Sequence, residues 1–301
     1  MMDLVTIFDS EPCLFVGAMV VLGLLIGSFL NVVILRLPVV MEREWKSECR
    51  SLLEIDSAEA DSEPFDLIRP RSRCPNCQNL IRAWDNIPVF SYVLLQGKCR
   101  HCGVPISPRY LVIEMLAGLV AGYAAWHFGV RGDPLTVELL AKSLAAAVFV
   151  WALIALAVID LDTQMLPDSI TYPLLWAGIG LGFFGLFAGD LKAAVLGAML
   201  GYLSLWSIYW AFRLITGKEG MGYGDFKLLA ALGAWMGWQA LPVIILISSA
   251  LGALIGVTMI VTGFIKRSEP IPFGPYLALA GIVALFWEQP LARLFTGSVV
   301  L

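Results

Sequence analysis

The chain has 301 residues, of which 59% are apolar and only 15% charged, with a net charge of −4 and a mean hydropathy of +0.81. Water-soluble domains run nearer 45–50% apolar and ~25% charged, so an ordinary soluble globule is excluded. Basic residues are not interleaved with aromatics on one face, which argues against a nucleic-acid partner.

Apolar runs of roughly 17–25 residues have the length of membrane-spanning helices. Such runs lie near 14–35, 111–128, 138–159, 170–188, 191–214, 226–238, 241–264 and 275–296, the sixth being the shortest. They are continuous rather than alternating in polarity, so an all-α polytopic membrane protein is expected and a β-barrel is not. The predicted organisation is a tail and first span over 1–35, an inserted domain over 36–110 and a helical core over 111–301.

The tail carries Asp3, Asp9 and Glu11 and no basic residue. Eleven of the 20 Lys and Arg residues fall between Arg36 and Arg109 inclusive. The positive-inside rule then puts the tail outside and the 36–109 segment in the cytoplasm. The loop from Arg213 to Lys227 and the pair Lys266-Arg267 follow on the cytoplasmic side, with Arg293 a mild dissent. The first span has no basic n-region and is too long for a cleavable signal peptide. Gly17, Gly23 and Gly27 within it read as positions of close helix packing.

The inserted segment opens acidic, with seven acids from Glu48 to Asp66 against one base, Arg50. This reads as a solvated insertion or as a docking surface for a basic peptide. Cys74-Pro75-Asn76-Cys77 follows, then 21 residues, then Cys99-Arg100-His101-Cys102. Two CxxC knuckles at this separation match a four-thiolate zinc site, with the intervening excursion expected to return as a small hairpin. Cytoplasmic thiols stay reduced, which disfavours disulfides, and a closed shell of four thiolates makes the ion structural. Cys13 and Cys49 read as incidental, and His101 as a spacer.

Two acids stand at the ends of apolar runs: Asp160 in Ile159-Asp160-Leu161-Asp162, and Asp225 in Gly222-Tyr223-Gly224-Asp225-Phe226-Lys227. A carboxylate at membrane depth marks a functional site by default. Two of them on neighbouring segments suggest an acid/base pair, and hence an intramembrane aspartic peptidase. Asp162 and Asp168 are the nearest rivals. Asp162 falls roughly opposite Asp160 on a continuing helix, and Asp168 reads as a helix N-terminal residue. Gly220, Gly222 and Gly224 would let backbone approach a substrate strand or reach positive φ. Lys227 would offset the pair's charge or serve topology alone. Glu114, one turn into the second span, would meet a basic substrate segment or new amino terminus, or act as a cap.

Other chemistries find no residues. The two histidines, His101 and His127, form no HExxH motif. There is no phosphate loop and no dinucleotide-binding unit. A proton-coupled transporter would show inverted repeats with interrupted helices, and a non-catalytic zinc scaffold would not need both acids.

Taken together, these residues resemble the bacterial type 4 prepilin peptidases over nearly the whole chain. The elements are Gly27-Ser28-Phe29-Leu30-Asn31 with Arg36-Leu37-Pro38, the two Cys knuckles, Asn86-Ile87-Pro88, and Ser107-Pro108-Arg109-Tyr110. Further along come Asp160-Leu161-Asp162, Leu166-Pro167-Asp168, the Gly222–Lys227 element and Pro272-Phe273-Gly274-Pro275. Leu111 departs from the proline more usual there. The resemblance implies that Asp160 and Asp225 are the catalytic pair and that Cys74, Cys77, Cys99 and Cys102 hold zinc. It also implies a bifunctional enzyme of the bacterial inner membrane acting on type IV prepilins or type II secretion pseudopilins. It would remove their basic leader after a glycine and N-methylate the new terminus with S-adenosylmethionine. The methyl-transfer site falls to the cytoplasmic segment and neighbouring loops by elimination.

Overall fold

The computed structural model describes residues 4–53, 64–131, 134–264 and 271–296, with side chains up to Trp287. The centre of the acidic insertion and Lys266-Arg267 lie outside the described residues, as does the side chain of Arg293. Among the described residues the regular elements are helical, and each of the eight apolar runs falls wholly or largely on helix. Five helical stretches are long and apolar enough to cross a membrane: Pro12–Leu52, Pro108–Val130, Val137–Thr163, Leu191–Thr216 and Trp238–Val261. The chain divides into two compact units, 1–151 and 152–301.

In the first unit, α1 (Leu4–Ser10) precedes α2 (Pro12–Leu52). Helix α2 does not stop at Arg36. It runs on through Pro38 to Leu52, supported on its exposed extension by the i,i+4 pair of Glu42 with Lys46 at 2.6 Å. Its apolar part packs on α4 (Pro108–Ala124) at backbone distance. A Cβ on Gly27 would sit 2.7 Å from the Glu114 Cα, and one on Gly23 would overlap the Ala117–Gly118 backbone. Gly17 meets nothing within 4 Å, so close packing uses Gly23 and Gly27 and not Gly17. The Trp151 indole of α5 (Val137–Thr163) donates to the Ala117 carbonyl at 3.0 Å. Between α2 and α4 lie the knuckles and α3 (Phe90–Leu94).

The second unit contains the end of α5, then α6 (Asp168–Phe183), α7 (Leu191–Thr216), α8 (Tyr223–Met236), α9 (Leu241–Val261) and α10 (Gly274–Thr296). Helix α8 is its centre. With 14 residues it is ~21 Å long, short of a ~30 Å hydrocarbon layer, yet it is buried on nearly every side from Asp225 to Met236. A helix apolar all round requires neighbours all round. Small residues provide the approach: Gly201 lies against Leu229 and Ala230, Gly178 against Trp235 and Ala234, and Gly281 against Leu232. The Trp235 indole donates to the Leu174 carbonyl at 2.7 Å, satisfying the one polar atom of the largest buried side chain. In α10, Trp287 leaves helical geometry (φ −127°, ψ 24°), which puts a kink in the helix.

Candidate active site and metal centre

Among the described residues of the second unit, Asp160 and Asp225 are the buried acids, at 5% and 7% exposure. Asp160 stands in the last turn of α5, and the helix terminates at Gln164, which adopts φ +55°. Its Oδ2 accepts the Gly274 N–H at 2.9 Å. Asp225 lies in the first turn of α8, where unpaired N–H groups favour an anion. Its carboxyl takes a hydrogen bond from the Gly222 backbone, and Asp160 is near enough for its charge to act on it. The two acids, 65 positions apart in sequence, thus lie in one buried neighbourhood of the fold.

The rivals are placed elsewhere. Asp162 is exposed, on the opposite side of the helix end from Asp160. Asp168 opens α6 and takes both its oxygens to Lys227 Nζ, at 2.8 Å each. Lys227, which also lies over the Tyr172 ring at 5.1 Å, therefore answers Asp168 rather than the buried pair.

The glycines of the turn work by size and not by backbone sign. None of Gly220, Gly222 and Gly224 has positive φ; the left-handed residue is Gly217, which ends α7 at φ +70°. A Cβ on Gly224 would come within 2.8 Å of the Leu166 Cβ, and one on Gly220 within 2.8 Å of the Phe212 ring. Gly222 is unhindered, its nearest neighbour being Asp225 Oδ2 at 3.8 Å. Two residues with no role expected from sequence, Gly274 and Leu166, pack against the acids' surroundings. A Cβ on Gly274 would lie 2.6 Å from Asp160 Oδ2, and Leu166 packs against both Gly224 and Gly274. The run Pro272-Phe273-Gly274-Pro275 was the available signal, because a glycine between prolines at a helix start marks a close approach. Beside Asp225, the rings of Tyr209, Tyr223 and Phe226 stack at 5.4–5.7 Å, and Arg213 ties Tyr209 (3.0 Å) to Glu219 (3.6 Å).

In the first unit the four sulfurs of Cys74, Cys77, Cys99 and Cys102 lie within 4.8 Å of one another and could hold a metal ion. Their two knuckles repeat with an offset of 25 residues. Cys74 N–H bonds Asn79 O and Gln78 N–H bonds Cys74 O, as Cys99 N–H bonds Val104 O and Gly103 N–H bonds Cys99 O. The bridges Arg73–Leu80 and Lys98–Pro105 close the two loops, and Gln78 and Gly103 share positive φ. The excursion between them is not a hairpin: it forms a 3₁₀ turn at Ala83–Asn86 and then α3. The Val104 N–H, then the Asn76 side chain, bring the Cys102 thiol down to about 6, so this ligand is a thiolate at neutral pH. His101 is not in the cluster, while Cys13 and Cys49 are exposed and separate. Glu114 turns to the chain itself: Oε2 accepts the Val89 N–H at 2.8 Å, and Ser28 is a second partner.

Comparison with known sequences agrees with this division. Residues 21–128 match the bacterial peptidase A24 N-terminal domain, and 147–257 match the type IV leader peptidase family. The chain is 53% identical over 278 residues to a prepilin leader peptidase/N-methyltransferase of Stutzerimonas stutzeri, covering 92% of each chain. It is 49% identical over 294 residues to the Pseudomonas aeruginosa protein of the same name, covering 98% of each. The corresponding Aeromonas hydrophila protein is 50% identical over 282 residues, with 94% of each covered. No solved structure matches. With identity this high over nearly the whole length of each relative, the chain belongs to the type IV leader peptidase family.

Proposed function

We propose that this protein is a membrane-embedded aspartic endopeptidase that removes the basic leader from type IV prepilins or pseudopilins and then N-methylates the new amino terminus. The observation that carries the peptidase reading is the burial of Asp160 and Asp225 near enough for their charges to interact, each oriented by a backbone N–H. The pair works with one proton. The ionised carboxylate takes a proton from a water, whose oxygen attacks the scissile carbonyl carbon. The protonated partner donates to the carbonyl oxygen. On collapse of the tetrahedral adduct the C–N bond breaks, and the departing amine takes up a proton from the pair. Gly274 fixes one oxygen of Asp160, which leaves the other to face water and substrate.

The ion is zinc. A tetrahedron with metal–sulfur bonds of ~2.3 Å has sulfur–sulfur edges of ~3.8 Å, and the Cys74 and Cys102 sulfurs stand 3.8 Å apart. With four thiolates the ion would be structural, holding together the 36–110 domain. The charge asymmetry around the first span supports placing this domain and the carboxylates at the cytoplasmic face of the bacterial inner membrane. Positive leaders remain on that side, where the pair would meet them. S-adenosylmethionine is the methyl donor that a leader peptidase/N-methyltransferase requires.

The test is cleavage of a synthetic prepilin by purified enzyme, read by mass spectrometry. Asp225→Asn should abolish leader release while the protein still inserts and binds zinc. Cysteines placed beside Asp160 and Asp225 should react with impermeant thiol reagents from the cytoplasmic side alone; labelling from outside would overturn the topology.

A further inference from the structure

The first unit encloses a cavity of about 560 Å³ beside α2, α4 and the knuckles, within the usual range of small-molecule sites. Helix α2 lines it with Ser28, Asn31 and Arg36, which share one face at i, i+3 and i+8. From Ser28 to Arg36 is ~12 Å along the helix. The two ends are oppositely charged. Glu114, half-buried in an apolar helix, accepts only neutral donors, the Val89 N–H and Ser28. Among the described residues no cation pairs with it, and a carboxylate at this depth calls for one. Arg36 donates Nη1 to the carbonyls of Asp66 and Leu67, and no described carboxylate forms an ion pair with it. Tyr92 and Tyr110 add aromatic surface suited to a purine ring or a cation. Val89, gripped by Glu114, holds φ +61° and ψ −50°, a conformation that a β-branched residue avoids and that recurs at functional sites.

We infer that this cavity is the methyl-donor site, with Glu114 the counter-charge of the S-adenosyl sulfonium and Arg36 the partner of the donor's carboxylate. The inference rests on the methyltransferase reading above and adds to it a location and two binding residues. The donor is favoured over the pilin's amino terminus as occupant, because a lone ammonium would leave Arg36 and most of the volume unused.

Equilibrium dialysis of full-length enzyme in lipid nanodiscs separates the possibilities, using labelled S-adenosylmethionine and its neutral product S-adenosylhomocysteine. Glu114→Gln keeps a carbonyl for the Val89 N–H and removes only the charge. It should weaken S-adenosylmethionine binding by about tenfold and S-adenosylhomocysteine by about twofold or less. Arg36→Gln should weaken both by about tenfold. Retained zinc and an unchanged elution volume establish folding. Ultraviolet cross-linking of wild-type enzyme to labelled donor should map to peptides within 28–36 or 89–114. Unaltered donor binding by both variants, or a label mapping elsewhere, would overturn the site while leaving the methyltransferase reading intact. A wild type that binds neither compound and methylates no cleaved pilin would defeat that reading, and the site with it.

Discussion

The four-cysteine cluster and the buried carboxylate pair are assembled in opposite ways. Each knuckle closes on itself: a CxxC, a left-handed residue and a short bridge occupy eight residues, and the same pattern recurs 25 residues on. Only the joining of two finished halves is left to the longer-range fold. The carboxylate pair has no such local unit. Its parts come from the end of α5, the start of α8 and the start of α10, and Leu166 packs against two of those three. A metal ion can secure the first arrangement directly, whereas the second depends on glycines that let backbone stand where a side chain would otherwise be.

This difference has consequences that mutation can break or sharpen. The largest effect is expected at Gly274. Gly274→Ala adds a methyl group 2.6 Å from Asp160 Oδ2 and must push the carboxylate aside. Misplacement of a catalytic group by about an ångström costs on the order of 10²-fold in rate. Leader-cleavage kinetics should show that loss with zinc content unchanged, since the cysteines belong to the other unit.

The reciprocal change is next in size. Cys102→Ser should release the metal and lower the thermal midpoint of the first unit, read by elemental analysis and differential scanning fluorimetry. Acid should mimic it. A ligand must be deprotonated to bind, so zinc retention against a chelator should fall progressively as the pH is lowered. Zinc retained unchanged by the variant would show that the cluster does not bind it as described.

Smaller again is Lys227→Met. Its ion pair with Asp168 is partly exposed, so its loss should cost no more than ~1 kcal/mol of stability and leave cleavage within a few-fold of normal. A collapse of activity would mean that Lys227 serves the pair after all. The smallest effect belongs to Asp162→Asn. This exposed acid lies apart from the pair, and substitution there should fall within ~0.5 kcal/mol and leave turnover unchanged.

Much of this was legible from residue order, and the reason is again locality. Apolar runs report burial in lipid, CxxC spacing reports a tetrahedral site, and an acid at the end of an apolar run reports a functional group. What escaped was decided between segments. Nothing in Pro272-Phe273-Gly274-Pro275 says that its N–H will reach an aspartate 114 positions earlier. Gly224 was open to a reading by backbone freedom, yet it is needed because Leu166 leaves no room for a Cβ. Lys227 is four positions before Ala231 on a buried helix, and only the fold discloses that its partner is Asp168. The end of α2 is set by something other than the end of its apolar run. Hydropathy falls after Arg36, but helix propensity and the Glu42–Lys46 pair carry the helix on to Leu52.

The claim that Asp160 and Asp225 act as one unit is tested most directly by leader-cleavage rates of Asp160→Asn, Asp225→Asn and the double variant. Groups that share one proton in one step are grossly non-additive, so each single variant should lose as much activity as the double. Appreciable cleavage by Asp160→Asn, or a double variant falling by the product of two modest single losses, would contradict the pair.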